Sequence, residues 1–433
     1  MIEIKRRGAK VLISIAAVVF MLLSCSEKTL KQDGNISTYT VTFNSDGGKF
    51  LNGEPFLKIN YRALGFAYAP KEEPKKVGKY FQYWYSTDSL TTFSFSTQRI
   101  GYNIELHAKW DVDPRVMVLF DEVNMAVTGI DPNYTNYVAI EIPEFIHGIK
   151  VLKIANNAFN GKTNISQITL PSSLTDIGNS AFSGCTNLSK CDLPAGLKTL
   201  GSNCFYGTPL MKVNIPTGII AIPASCFQNC TQLSEVSLPT SLSGASALGS
   251  NCFYATAIKN LTIPDGVTAI PASCFQLCSQ LTQITLPSNL SVIGQNAFNG
   301  SGLTSVTIPP KVTALGASCF QNCIALTSVN IVEPSLLQTW SNGCLAGCYS
   351  LSSLTIPKPS NNSQVTIDVN AFLGNSNLST VKLMSSNPLV KLNNISAFSN
   401  CSPALLILVP SSVLSNYKNA ANWTGISTKL GGY

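Results

Sequence analysis

From about Val138 to Pro410 the apolar positions of the chain fall into one short pattern that keeps returning. A triplet with apolar residues at its ends and a polar one between them closes on proline, as in Ile168-Thr169-Leu170-Pro171, Val213-Asn214-Ile215-Pro216, Leu261-Thr262-Ile263-Pro264 and Val306-Thr307-Ile308-Pro309. Alternation with a period of two predicts a strand whose outer residues face a core and whose middle residue faces water, while proline, lacking an N–H, ends the ladder there. A second apolar pair follows, Leu174 with Ile177, Leu197 with Leu200 or Val267 with Ile270, often before a glycine suited to a bend. An aromatic slot comes next, filled by Phe159, Phe182, Phe205, Phe227, Phe253, Phe275, Phe298, Phe320, Leu345, Phe372 and Phe398 at spacings of 22 to 27 residues. A unit that short cannot enclose a core alone, so the copies must stack. The expected fold is a solenoid, mainly β or of α/β type, in which every turn adds one strand to a parallel sheet and each phenylalanine plugs its own coil. The longer spacings after Phe320, with Leu345 in the slot and Lys382-Leu383 in the strand, predict irregular turns late in the array.

The segments outside the array read differently. Residues 1–24 open with a basic cluster and continue into the apolar run Val11 to Leu23, too short for the ~20 residues that span a bilayer as a helix, so they read as a leader. Leu22-Leu23-Ser24-Cys25 resembles a bacterial lipobox. That resemblance implies a lipidated Cys25; an ordinary secretory signal with a chance cysteine is the alternative. Residues 25–38 are polar and read as a tether. Residues 39–111 form a separate small domain, with strand patterns at Thr40 to Phe43, Tyr80 to Tyr85 and Ile104 to Trp110. Its Phe43, Phe81, Trp84 and Trp110 are expected in the core, because so small a domain needs its large side chains inside. His107 falls on the outward phase of its strand. Residues 112–145 lead into the repeats, 146–402, with strand-like Met117 to Phe120 and Val138 to Ile142 and a turn at Gly129 to Pro132, and are placed to cap the first coil. Residues 403–433, with Leu405 to Pro410, Tyr417 and Trp423, are placed to cap the last.

Two resemblances sharpen this. Val41-Thr-Phe43 with Asp46-Gly-Gly48, the Gly78 to Tyr85 segment and Leu106-His-Ala-Lys-Trp110 resemble the Listeria-Bacteroides repeat, also called the internalin B-repeat, which implies a β-grasp-like surface module. Gln82 and Tyr83 depart from it, standing where the family usually has small residues. The array resembles the BspA-like, Treponema-type leucine-rich repeats: the usual leucine-rich asparagine is missing and an alanine-phenylalanine element replaces it.

Charge and cysteine content exclude more than they suggest. The net charge is +7, of which Lys5, Arg6, Arg7 and Lys10 against Glu3 supply +3. No arginine follows Arg115, so the array lacks the planar fork that grips phosphate in two places, and nucleic acid is not an expected partner. Of 14 cysteines, four pairs share one spacing around the aromatic slot: Cys226 with Cys230, Cys274 with Cys278, Cys319 with Cys323 and Cys344 with Cys348. Ala181 with Cys185, Ala297 with Ser301 and Cys252 with Thr256 hold the same two places, so small residues are what the position demands and buried free thiols fit it. Disulfides are the competing reading. A metal site is not expected, since no histidine or carboxylate clusters with these cysteines. Only His107 and His147 could serve as a base for a nucleophile, and the array's acids are too irregularly spaced to pair. No enzyme, cofactor or metal is expected.

What remains is surface. The strand midpoints Thr169, Asp192, Asn214, Ser237, Thr262, Thr285, Thr307, Asn330 and Thr355 would form one row, beside a second containing Gln167, Lys190, Lys212, Glu235, Asn260, Gln283, Ser305, Ser328 and Ser353. Such a face can hydrogen-bond a glycan or an extended protein segment, or can simply be a solvated sheet. The BspA-like resemblance implies adhesion to host extracellular-matrix proteins. The expectation is a monomeric, lipid-anchored protein of the bacterial outer membrane or cell surface that binds a protein or glycan ligand on a host or neighbouring cell. The alternative is an envelope accessory lipoprotein that captures glycans or acts as a spacer.

Overall fold

The computed structural model of the protein describes residues 38–76, 79–87, 93–112, 118–132, 137–146 and 149–433. The leader, Cys25, most of the tether and His147 lie outside the described residues. The chain forms two units, Met1–Asp113 and Pro114–Tyr433.

The first unit holds strands β1 (Thr38–Asn44), β2 (Phe56–Arg62), β3 (Lys79–Ser86) and β4 (Ile104–Val112) in the order β2-β1-β4-β3. The central pair β1 and β4 is parallel and the outer pairs are antiparallel. Phe43 and Trp84 meet edge to face at 5.0 Å in the core, as expected. Phe81 and Trp110 are only half-buried against it. Trp110 carries an N–H that needs a partner, and at the margin its Nε1 reaches the Ser45 carbonyl at 2.8 Å. Gln82, one of the two family departures, falls at a shift of register between Phe81 and Tyr83, the extra residue of a bulge. His107 is half-buried and its Nδ1 lies 2.9 Å from Asp46 Oδ1.

The second unit is a parallel-strand β-solenoid, mostly β with little helix. It opens on a hairpin, β5 (Val118–Asp121) and β6 (Ala126–Ile130). Gly129 and Ile130, read as part of a turn, are strand residues, since β6 pairs with both β5 and Lys153–Ile154. Each turn then runs through three sides. One carries the proline-ended triplets, the strand side. A second carries two-residue strands such as Asp176–Ile177 and Val292–Ile293, which join into sheets of five strands with the hairpin and of six further on. The third carries the phenylalanines. Phe159 through Phe320 stack ring on ring at centroid separations of 5.2–5.7 Å with interplanar angles of 13° or less. All are fully buried.

Backbone geometry explains how this aromatic side closes. Residues two before and two after each ring from Phe159 to Phe372 take left-handed conformations, as at Asn157 with Gly161, Asn203 with Gly207 and Ser225 with Asn229. Glycine and asparagine tolerate that region best, while Ser225, Ala255 and Leu277 take it because the turn requires it. The alternation turns the amides of one turn onto the carbonyls of the next: Phe182 N–H donates to Cys204 O at 2.8 Å and Phe205 N–H to Cys226 O at 3.0 Å. At the bend into this side, a Cβ on Gly201 would lie 2.3 Å from the Asn179 backbone nitrogen, so only glycine fits.

Where Leu345 takes the slot the stack of rings is interrupted, and the buried indole of Trp340, on the second side, lies 5.7 Å from Phe372. At the end, Trp423 lies against Phe398 at 6.2 Å and donates to Val390 O at 2.9 Å. Tyr417 donates to Ser385 O and accepts from Val390 N–H, and burial pushes its phenol up to about 12.

Candidate ligand-binding face

Each proposed site residue is the middle one of its apolar-polar-apolar triplet, but the strands start one residue earlier than that triplet, so it ends a three-residue strand, as Thr262 does, or is third of four, as Thr307 is. Thr169, Asn214, Ser237, Thr262, Thr285, Thr307, Asn330 and Thr355 are all exposed. In register, Asn214 lies beside Ser237, Thr262 beside Thr285, and Thr307 beside Asn330. Thr355 lies beside Lys382.

The single sheet expected on this side is not what forms. Its thirteen strands fall into groups of three, two, two, two and four. The ladder is open between Lys190–Cys191 and Lys212–Asn214, between Glu235–Ser237 and Asn260–Thr262, between Gln283–Thr285 and Ser305–Ile308, and between Ser328–Ile331 and Ser353–Ile356.

The loop from ring to strand accounts for the first three openings. From Phe182 to the inward residue Cys191 is nine positions, and the same holds from Phe227 to Val236, Phe275 to Ile284 and Phe320 to Val329. From Phe205 to Val213, Phe253 to Leu261 and Phe298 to Val306 it is eight. In long turns the loop carries an amide to the previous turn's carbonyl, as Ser189 N–H to Ser166 O and Ser234 N–H to Met211 O, both at 3.0 Å. In the short turns at Phe205 and Phe253, the equivalent residues Met211 and Lys259 do not make that bond, and at Phe298 only a 3.3 Å bond from Thr304 to Thr282 survives. Long and short turns alternate from Phe182 to Phe320. The working repeat on this side is therefore two turns, and each short turn pairs forward with a long one. The fourth opening follows the turn that ends in Val332-Glu333-Pro334 rather than in proline directly.

The alternation also sorts the cysteines. Three positions after the ring, long turns carry Cys185, Cys230, Cys278 and Cys323, and short turns carry Thr208, Thr256 and Ser301. The thiols of Cys185, Cys230 and Cys278 each donate at 3.0 Å to the carbonyl of the preceding turn's phenylalanine, and that of Cys323 does so at 3.2 Å. Thr208 and Thr256 donate to the carbonyl of their own turn's phenylalanine. The position therefore demands a small donor, beyond the small volume expected. The thirteen described cysteines are free, and all but Cys401 are buried. Closest approaches run between successive turns, Cys204 to Cys226 at 3.2 Å and Cys252 to Cys274 at 3.4 Å, and not within the equally spaced pairs. Burial pushes the Cys230 thiol up to about 12. Among the described residues no group of three or more histidine, cysteine or acidic side chains could hold a metal.

Charge changes along the strand side. Lys190, Asp192, Lys212 and Glu235 cluster in the early turns, with Lys212 Nζ 3.0 Å from Glu235 Oε2. From Asn260 to Thr307 both rows are hydroxyl and amide. Two openings are hollow. One of about 190 Å³ is lined by Lys190, Asp192, Met211 and Lys212; the other, of about 460 Å³, is lined by Ser328, Asn330, Glu333, Ser353, Thr355 and Met384. A further depression of about 460 Å³ lies on the second side at the hairpin, between Asp121, Asn124, Lys153, Asp176, Asn179 and Thr199. Its polar groups are engaged among themselves. Asn124 donates to Asp121 at 2.7 Å, Thr175 donates to Asp176 at 2.6 Å, and Asn179 Oδ1 accepts from Ser202 N–H at 2.8 Å. Hydrogen bonds from Thr175 and Thr199, with Lys153 and Lys198 nearby, outweigh the opposing effect of partial burial and hold the Asp176 carboxyl below its ordinary range.

The profile of the BspA type leucine rich repeat region matches residues 152–248, 246–365 and 303–424, more than half of the chain. The chain belongs to the BspA-type leucine-rich repeat family. The Listeria-Bacteroides repeat domain matches residues 39–109, ahead of the BspA-type array. Curated relatives cover little: a protein of Evansella cellulosilytica with the provisional name Gly-rich membrane protein is 26% identical over 116 residues, 27% of this chain and 13% of its own length. A second from the same organism, provisionally named a membrane protein, is 27% identical over 118 residues, 27% of this chain and 17% of its own. The chain thus spans less than a fifth of these relatives. Among solved structures, a leucine-rich repeat protein from Bacteroides ovatus is 23% identical with a TM-score of 0.43, covering 71% of this chain and 95% of that one. A leucine rich cell surface protein from Faecalibacterium prausnitzii is 25% identical with a TM-score of 0.42, covering 72% and 96%.

Proposed function

We propose that this BspA-type protein is exposed at the bacterial surface, anchored through Cys25, and holds a macromolecular ligand along its strand side in the manner of an adhesin. The observation that carries this reading is the row of exposed side chains whose polar atoms make no hydrogen bond among the described residues: Thr262, Thr285, Thr307, Asn330 and Thr355. Each contact from such a side chain contributes only about 0.5 to 1.5 kcal/mol net, so a ligand is held by engaging many turns at once. Family membership and the names of the curated relatives support a surface location. The family and fold are those of repeat proteins. This supports binding over catalysis.

The test is direct. The full chain in detergent should bind immobilised matrix glycoproteins, and Thr262→Lys, Thr285→Lys and Thr307→Lys together should weaken binding about tenfold or more. Undiminished binding by that variant would remove the strand side as the ligand face.

A further inference from the structure

We infer that the 460 Å³ cleft between Ser328–Ile331 and Ser353–Ile356 is a subsite for one neutral sugar ring of a glycan chain. The inference rests on the reading of the strand side as the ligand face and adds the class of ligand and its position.

Four observations lead there. The cleft lies where the ladder is open, and its volume falls within the 300–1,000 Å³ of small-ligand sites, unlike the 190 Å³ opening near Lys212. Its hydroxyl and amide groups are uncommitted: Ser328, Asn330, Ser353 and Thr355 make no side-chain hydrogen bond among the described residues, whereas the equally large depression at the hairpin has its polar groups tied to one another. Met384, 41% exposed, and half-buried Ile331 give it an apolar wall beside those donors and acceptors. A sugar ring presents that same mixture of hydroxyl edges and an apolar C–H face. Finally, the lining holds one carboxylate, Glu333, and no lysine or arginine, and Lys382, paired with Thr355, has its Nζ over the Tyr433 ring at 4.0 Å, which disfavours phosphate, sulfate or uronate groups.

An extended peptide fits less well. Paired strands need ~4.8 Å on each side of an added strand. Across this opening Cα atoms of Ser328–Ile331 and Ser353–Ile356 come within 8 Å of one another, so a further strand does not fit between them. A ligand must sit on the opening and be held by side chains.

The shared chemistry, a neutral glycan, can come from a glycoprotein or from a free polysaccharide. The experiment titrates the full chain in detergent with neutral gluco-, manno- and galacto-configured tetrasaccharides, and separately with a matrix glycoprotein before and after enzymatic deglycosylation. Binding of at least one tetrasaccharide is expected. It should fall about tenfold or more in a variant carrying Asn330→Ala and Thr355→Ala, and change less than about twofold with Val292→Ala and Lys391→Ala, both exposed on the second side. Unchanged melting temperatures in both variants show that the loss is not unfolding. Loss of glycoprotein binding on deglycosylation marks the glycoprotein as a source; tetrasaccharide binding without glycoprotein binding marks the polysaccharide. The proposal is overturned if no neutral tetrasaccharide binds, if only anionic glycans bind, or if the Val292 and Lys391 pair matters as much as the cleft pair. Should deglycosylated glycoprotein still bind and the lysine triple variant abolish it, the cleft proposal fails while the strand side stands. If that lysine variant also leaves binding intact, the broader reading fails as well.

Discussion

The rings from Phe159 to Phe320 stack with no missing step, each 5.2–5.7 Å from the next, while on the strand side of the same turns the ladder opens at every second turn. The two sides differ in what lies between their fixed points. On the aromatic side the bonding amides sit on the ring residue and its near neighbours, so no loop intervenes and every turn looks alike. On the strand side a loop of variable length separates ring from strand, and one residue decides whether an amide reaches the previous carbonyl. A core asks mainly for volume; a ladder asks for register. The core therefore stays regular while the surface above it takes on a longer period, with openings in its ladder.

Alkaline titration should break the aromatic side first, with the largest effect. Burial holds Cys185, Cys278 and Cys323 at about 11 and Cys230 at about 12, against 9.0 for an ordinary thiol. Because the folded values lie above the unfolded one, the stabilisation is complete below pH 9 and is lost as pH rises through 11 to 12. Each thiol forfeits roughly 3 kcal/mol over two pH units, so several together should unfold the array near pH 11 under reducing conditions. Circular dichroism melts should be flat from pH 7 to 9 and fall steeply above it, and replacing Cys230→Thr and Cys278→Thr should move the fall upward. A melting temperature that stays level to pH 11 would contradict the enclosure of these thiols.

A smaller but sharper asymmetry separates the sides at neutral pH. Phe253→Ala removes a ring held between two others and should cost about 3 to 5 kcal/mol in denaturant unfolding. Ile284→Ala, half-buried on a two-stranded ribbon, should cost about 1 to 2 kcal/mol. Equal losses would mean that the strand side carries as much of the core as the stack does.

The stack was legible in the sequence because its signal is chemical: a ring at a near-constant interval is visible whatever the loops do. The Listeria-Bacteroides unit was legible for a similar reason, through Phe43, Trp84 and Trp110. Its strand Phe56–Arg62 went unread although Phe56-Leu57-Lys58-Ile59-Asn60-Tyr61-Arg62 alternates, because an edge strand with only half-buried inner residues gives a weak contrast between faces. The two-turn period was present as well, in the counts of eight and nine residues and in the exchange of cysteine for threonine or serine three places after the ring. It escaped notice because spacing from ring to ring averages over the loop that varies. The site residues were readable one by one as outward-facing midpoints. Their division into paired rows and open clefts was not, since that depends on whether neighbouring turns bond.

Lengthening one short loop tests the cause of the openings, with the smallest expected effect. Thr208-Pro209-Leu210 stands where the preceding turn has Cys185-Thr186-Asn187-Leu188. Changing Thr208→Cys and Pro209→Thr and inserting an asparagine before Leu210 restores the nine-residue path from Phe205 to its strand. The residue now aligned with Ser189 should donate to the Ser189 carbonyl, joining Lys190–Cys191 to Lys212–Asn214 and adding about 1 kcal/mol. Hydrogen exchange should show new protection at Met211 and Lys212. A rival cause is available in the structure, because Lys190 and Lys212 line the same opening with like charge. If the lengthened loop gains no protection while Lys212→Ser does, repulsion rather than loop length holds this opening apart. The openings near Asn260 and Ser305, which have no such lysine pair across them, would then need a different account, whereas loop length explains all three at once.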